Sequence, residues 1–243
     1  MRINRVRFSS AVQFFAEGFR YRWNLKEFSP NDPAVFFGCY SNSDIESVLG
    51  HKSPKIVMLL GADMPNLKHL KHDKSIIFAS DKQHNINIFK SENVKFIDAV
   101  IPVKDFSLFT PAPKGDKIYC YINQNNQAHI NKYTAGMLDK VIQYFGVSKF
   151  ILGTLGHSQV EVVENYYKPS FVNLQLNPFA GFTTAIEMAY MGRMSISNSE
   201  APFSIPFKTP NEIINTIINQ ESEAIKENLI GNYLCNSDDW LEI

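Results

Sequence analysis

The stretch 177–198, NPFAGFTTAIEMAYMGRMSISN, holds the residues best suited to chemistry. Gly181 sits in a loop leading to Thr183 and Thr184. Glu187 follows on what reads as a helix, which Gly192 closes before a strand. Backbone N–H groups at a helix start, aided by threonine hydroxyls, can hold a diphosphate. A carboxylate one turn further in can accept hydrogen bonds from both hydroxyls of a ribose. A glycine beside them lets a ligand approach the backbone closely. The plain alternative is an ordinary loop–helix–strand unit, with a threonine cap and a solvated glutamate.

Other candidates lie at the ends of apolar runs. Asp63 closes Gly61-Ala62-Asp63, straight after the run 55–60 (KIVMLL), and His51 follows a short helical stretch. Each is a candidate general base, the histidine because its charge changes near neutral pH. For His51 a solvated helix end is the plainer reading. Gly153 and His157 bracket the loop after the strand 150–152 and are candidates to touch a bound donor, although a capped loop histidine serves equally well. His69, His72, His84 and His129 lie in polar stretches and receive no role. Cys39, Cys120 and Cys235 are too widely spaced for a disulfide framework or a metal knuckle. With no Asp-x-Asp and no His/Cys cluster, no metal site is expected.

These residues need elements to position them. Solid apolar runs at 34–38, 55–60, 75–79 and 94–97 alternate with polar, helix-like segments, as strands of a parallel sheet covered on both faces do. The Pro- and Gly-rich segment 109–115 reads as a linker, after which the pattern repeats. Strands are expected at 117–122, 150–152, 171–174 and 194–196, and helices at 131–145, 160–167, 183–191 and 210–228. The fold class is therefore α/β, with two Rossmann-like doubly wound half-domains, 1–106 and 107–243, facing a cleft. Ligands of such sheets sit beyond the carboxyl ends of the strands.

Composition narrows the function classes. The chain has 243 residues, 44% of them hydrophobic, enough for packed cores. Its 24 basic and 24 acidic residues cancel, which argues against a wholly basic nucleic-acid-binding surface. The opening, through the run Phe19-Arg20-Tyr21-Arg22-Trp23, reads as irregular, and that run as an amphipathic edge with solvated arginines. Aromatics mixed with arginines would otherwise suit stacked bases and phosphates, or a membrane surface. No run approaches the ~20 apolar residues of a membrane span, and no export signal is read, so the expectation is a cytoplasmic protein without stable membrane insertion.

The segment from Gly181 through Glu187-Met188-Ala189-Tyr190-Met191-Gly192-Arg193 to Met194-Ser195-Ile196 resembles the donor-binding stretch of GT-B glycosyltransferases, above all the glycosyl transferases group 1. That stretch has the form Gly-x-x-x-x-x-Glu-Ala-Met-Ala-x-Gly-(Arg/Lys)-Pro-Val-Ile. The interdomain pattern Val-x-Val-Ile-Pro followed by Phe-x-Pro has its counterpart in Asp98-Ala99-Val100-Ile101-Pro102 and Phe109-Thr110-Pro111, and Gly61-Ala62-Asp63 is similar to a Gly-x-Asp that closes an early strand. The resemblance implies a metal-independent, hexosyltransferase-like enzyme with a nucleotide-sugar substrate, a UDP-sugar by preference, and no cofactor. It places the donor at Gly181, Thr183, Thr184 and Glu187 with Gly153 and His157 nearby, and the acceptor, which is a glycan, lipid-linked glycan, protein or modified DNA, in the first domain. Asp63 or His51 would then serve as base if the reaction inverts. The family's second glutamate falls at Phe179, and its basic pair has only Lys132 and Lys149 as counterparts. These departures keep a competing reading open, a binding protein of the same shape without catalysis; a sugar-nucleotide epimerase stands behind both.

Overall fold

The apolar runs become strands because both of their faces are covered. The computed structural model describes residues 1–104, 106–121, 135–153, 158–176, 183–198, 203–223, 229–230, 234–235 and 237–243. The chain forms two units, Met1–Asp105 with Asn232–Ile243, and Phe106–Gly231. In the first unit, β1 (Arg5–Phe8), β2 (Lys26–Glu27), β3 (Ala34–Phe37), β4 (Lys55–Met58) and β5 (Ile76–Ala79) make a parallel sheet in the order β2-β1-β3-β4-β5. Side chains alternate across it. Val35, Phe37, Ile56 and Met58 pack with Phe19 and Trp23 of α1 (Ala16–Trp23) on one face. Ala34, Phe36, Val57 and Phe78 pack on the other with Val48 of α2 (Asn42–Gly50), Leu67 and Leu70 of α3 (Leu67–Leu70), and Ile86 and Phe89 of α4 (Gln83–Ser91). Each large apolar side chain buried this way contributes about 1.5–3 kcal/mol.

Two expectations for this unit are corrected. The opening is not irregular, because Arg5–Phe8 is an inner strand. Its alternation of arginines with Val6 and Phe8 puts the apolar pair into the core, while Arg7 lies over the Phe28 ring and Arg5 pairs with Asp32 at 2.8 Å. The segment 94–97 is not a full strand, since it meets β5 through the single bridge Phe78 to Phe96. The run at 19–23 forms an amphipathic helix with Phe19 and Trp23 buried and Tyr21 exposed. Where the second domain was expected to reach 243, Asn232–Ile243 belongs to the first unit. Ile3 N–H donates to Leu241 O at 2.8 Å, and Trp240 packs on Trp23 and Phe19.

In the second unit, β6 (Lys117–Tyr121), β7 (Phe150–Gly153), β8 (Ser170–Gln175), β9 (Ser195–Ser197) and β10 (Ser204–Ile205) are again all parallel, in the order β10-β9-β8-β6-β7. Counted from its own first strand this is the order of the first sheet, so the two units share one topology. One face is apolar, with Ile118, Cys120, Val172, Leu174 and Ile196 against α5 (Ala135–Phe145) and α8 (Pro210–Ser222). The connection from β7 to β8 holds α6 (Gln159–Val162) and a π-helical turn, Val163–Tyr167. From β8 to β9 it holds α7 (Thr183–Tyr190). No helix among the described residues is long and apolar enough to cross a membrane.

Candidate functional site

In both sheets the strand order reverses between the first and third strands, and ligands of open parallel sheets bind at the carboxyl ends beside that point. In the second unit it falls between β6 and β8. The face of β8 and β9 opposite the apolar core carries Asn173, Gln175, Ser195 and Ser197, all buried. Asn173 Nδ2 donates to Ser195 Oγ at 2.9 Å, while Asn173 Oδ1 has no partner among the described residues. The neighbouring β6 contributes Tyr119, whose ring meets that of Tyr167 edge-on at 5.1 Å. Buried polar side chains are costly unless hydrogen-bonded. Here they form a layer beside the switch point.

Helix α7 stands at the edge of that layer. Thr183 and Thr184 begin it, part-buried, and Glu187 one turn on is only 3% exposed. The Tyr167 hydroxyl donates a short hydrogen bond to Glu187 Oε2 and also lies within hydrogen-bonding reach of the Thr184 hydroxyl. Burial pushes the Tyr167 phenol well above its usual range, so it stays protonated as a donor. The π-turn, with its wider winding, is what carries Tyr167 to this spot. Gly153 ends β7 against the Tyr119 ring, where any Cβ would collide with it. Gly181 and His157, like Phe179 and Lys132, lie outside the described residues. Lys149 precedes β7 at the amino end and pairs with Glu221 at 2.6 Å, away from the switch point. A hollow of about 650 Å³ opens at the carboxyl ends of β9 and β10, lined by Ser197, Asn198, Ser204, Phe207, Lys208 and Glu212. It has the volume of a small-molecule site but does not include Thr183, Thr184 or Glu187.

The first unit separates the two candidate bases. Asp63 is 1% exposed, and its carboxylate is occupied with backbone: Oδ2 accepts from Cys39 N at 2.9 Å, and Oδ1 from Leu60 N at 2.8 Å and Gly61 N at 2.9 Å. It ties the loops after β3 and β4 together. Burial raises its pKa against those hydrogen bonds. His51 lies at the other end of the sheet, between α2 and the start of β4, packed against Phe28 and Phe36. Burial and the nearby Lys55 ammonium lower its pKa, opposed by the carbonyls of Asp32 and Pro30, which fall short of hydrogen-bonding geometry. Lys55 itself is buried, donating to His51 O at 2.8 Å and pairing with Asp73 at 3.0 Å. The structure therefore does not bring Asp63 and His51 together.

Sequence reasoning passed over Asp81, two residues after β5. Its carboxyl is 8% exposed, Oδ1 has no hydrogen-bond partner among the described residues, and burial pushes its pKa up to about 6, with Lys82 opposing and Asp63 adding to the shift. The signal was an acid two positions past the apolar run 75–79, after Ser80. Asn173 and Gln175 could likewise have been found, as polar residues alternating through an otherwise apolar strand. No three His, Cys, Asp or Glu among the described residues are grouped to hold a metal ion. Compared with models of known protein families and with characterised proteins, the chain matches none.

Proposed function

We infer that this chain is a glycosyltransferase that moves a sugar from a nucleotide-sugar donor, with the nucleotide held by the second unit and the acceptor by the first. The observation that carries the reading is the convergence of Thr184 and Glu187 on Tyr167, next to the switch point of the second sheet. In this reading the start of α7 and the hydroxyls of Thr183 and Thr184 meet the diphosphate, whose charge grows as the sugar leaves. Glu187 accepts from the ribose, and Tyr167 holds its carboxylate ready. The donor is a UDP-sugar and needs no metal of its own. The basic, aromatic run at 19–23 gives DNA little to stack on, since Phe19 and Trp23 are in the core, so a glycan-type acceptor is favoured over modified DNA.

One observation favours a second reading, a binding protein of the same shape without catalysis: Glu187 is buried and already engaged by Tyr167. A thermal-shift and calorimetric screen with UDP, GDP, ADP, CMP and their sugars separates the two. Stabilisation of the wild type by one nucleotide is expected, and Glu187→Ala should weaken it by about 1.5–3 kcal/mol, the scale of a lost charge-assisted hydrogen-bonding group. If no nucleotide shifts the melt of the wild type, the transferase reading is abandoned.

A further inference from the structure

The carboxyl end of the first sheet carries a cluster that the donor reading does not use. Three strand ends converge there, and Asp63 fixes two of them through its backbone hydrogen bonds. The loop after β3 presents Tyr40, that after β4 presents Gly61, and that after β5 presents Asp81 and Lys82. Two glycines make the room. Gly38 (φ +80°) lies under the Tyr40 ring and Gly61 (φ +128°) under the Lys82 ammonium, so that a Cβ at either position would strike the side chain above it. A left-handed backbone at both positions is what only glycine adopts without strain. Ser80 and Asn85 brace the turn around Asp81, with Asn85 Nδ2 donating to Ser80 Oγ at 2.8 Å and Ser80 Oγ accepting from Lys82 N at 3.2 Å.

Within this scaffold Asp81 Oδ1 is buried and has no hydrogen-bond partner among the described residues. A buried carboxyl oxygen without a donor costs stability and calls for an explanation, and an acceptor kept for a ligand supplies one. The groups facing it define the chemistry. Tyr40 lies within electrostatic reach of both Asp63 and Asp81, and burial with those two carboxylates raises its pKa, so its phenol remains a donor. Lys82 adds a part-exposed cation, its ammonium over Gly61, whose charge favours the Asp81 carboxylate. One acceptor flanked by two donors matches a neutral polyol, whose hydroxyls both give and take hydrogen bonds.

We propose that the carboxyl ends of β3, β4 and β5 form a saccharide site in which Asp81 Oδ1 accepts a hydrogen bond from a sugar hydroxyl, with Tyr40 and Lys82 donating to its oxygens. Identifying that sugar as the acceptor of the transfer rests on the glycosyltransferase reading; the site itself does not.

The test is saturation-transfer NMR on the full chain with methyl glucosides, galactosides and mannosides as probes, for wild type, Asp81→Asn and Tyr40→Phe, with UDP titrated separately into each protein. At least one glycoside should bind the wild type in the millimolar range. Its affinity should fall several-fold in Asp81→Asn, whose amide oxygen still accepts but carries no charge, and several-fold in Tyr40→Phe, which loses a neutral donor. A thermal melt shows that both variants are folded. Equal binding to wild type and Asp81→Asn overturns the assignment, as does the absence of binding by every glycoside. Loss of UDP binding alone would count against the donor reading and leave this site standing.

Discussion

Arg193 carries a full charge into the second unit, where its hydrogen-bond partners among the described residues are backbone carbonyls. Its guanidinium donates to Ser170 O and Met191 O at 2.7 Å each and to Pro113 O at 2.9 Å, and burial lowers its pKa to about 10. The planar fork reaches several carbonyls that a lysine could not span. It sits at the amino end of the sheet, so it clamps the connections entering β6, β8 and β9 and has no part in the switch-point cluster. Arg193→Met should cost about 3 kcal/mol, because buried carbonyls lose their donors, seen as a fall in melting temperature of roughly 2–4 °C per kcal/mol. A melt unchanged within error would show that water replaces the guanidinium. Asp81 predicts the opposite sign. Its folded pKa, about 6, exceeds the ordinary carboxylate value, so the folded state binds the proton more tightly. Its contribution is favourable below pH ~4 and is lost as pH rises through about 6. Asp81→Asn should therefore match the wild type near pH 4 and exceed it at pH 8 by up to about 3 kcal/mol. Melting curves at the two pH values check this, and a gain equal at both would remove titration as its cause.

Elements are held as much by their ends as by their faces. Helix α2 begins with a reciprocal cap in which Ser41 Oγ accepts from Asp44 N at 3.2 Å and Asp44 Oδ2 accepts from Ser41 N at 3.0 Å. The same oxygen accepts from Tyr40 N at 3.0 Å and from Ser9 Oγ at 2.8 Å, which joins the ends of β1 and β3. Burial would raise the Asp44 pKa, but these hydrogen bonds outweigh it and hold the carboxyl below its usual value. Asp44→Ala should cost about 1–3 kcal/mol, measured as a lower thermal midpoint, with most of the loss restored by Asp44→Asn, whose amide oxygen can still accept. A full-sized loss in both variants would assign the effect to charge. The helix was legible but its start was not: the sequence puts 41–43 in a loop and opens the helix at Asp44, whereas Ser41 is the cap and the helix begins at Asn42. Strand β1 was not legible, since its arginines alternate with Val6 and Phe8 and only the tertiary fold reveals that Arg7 lies over an aromatic ring. Asn173 and Gln175 stand out as polar residues alternating through an apolar strand, but their pairing with Ser195 was hidden, because the register between neighbouring strands is set by long-range contacts.

At the scale of the molecule, the repeat was readable because two series of solid apolar runs, broken by one Pro- and Gly-rich linker, can only be two covered parallel sheets. The identical strand order was not readable, since order is set by long-range pairing. Nor was the return of the C-terminus, for 232–243 has no periodicity, and its place is decided by a few side chains and backbone bonds. Cys235 N donates to Val100 O at 2.9 Å, Leu241 is fully buried, and Trp240 meets Trp23 edge-on with ring centroids 5.2 Å apart. Both tryptophans of the chain thus lie in the first unit. Tryptophan fluorescence therefore reports that unit alone, while far-ultraviolet dichroism reports both. Removing the Trp240 ring should cost the first unit about 3–5 kcal/mol, the range for a buried aromatic cut to alanine. In a urea titration of Trp240→Ala, the Trp23 fluorescence transition should move to lower urea while a later dichroism transition, from the second unit, stays where it is in the wild type. If both transitions move together, the units unfold as one cooperative body, and the C-terminal strap stabilises the whole chain.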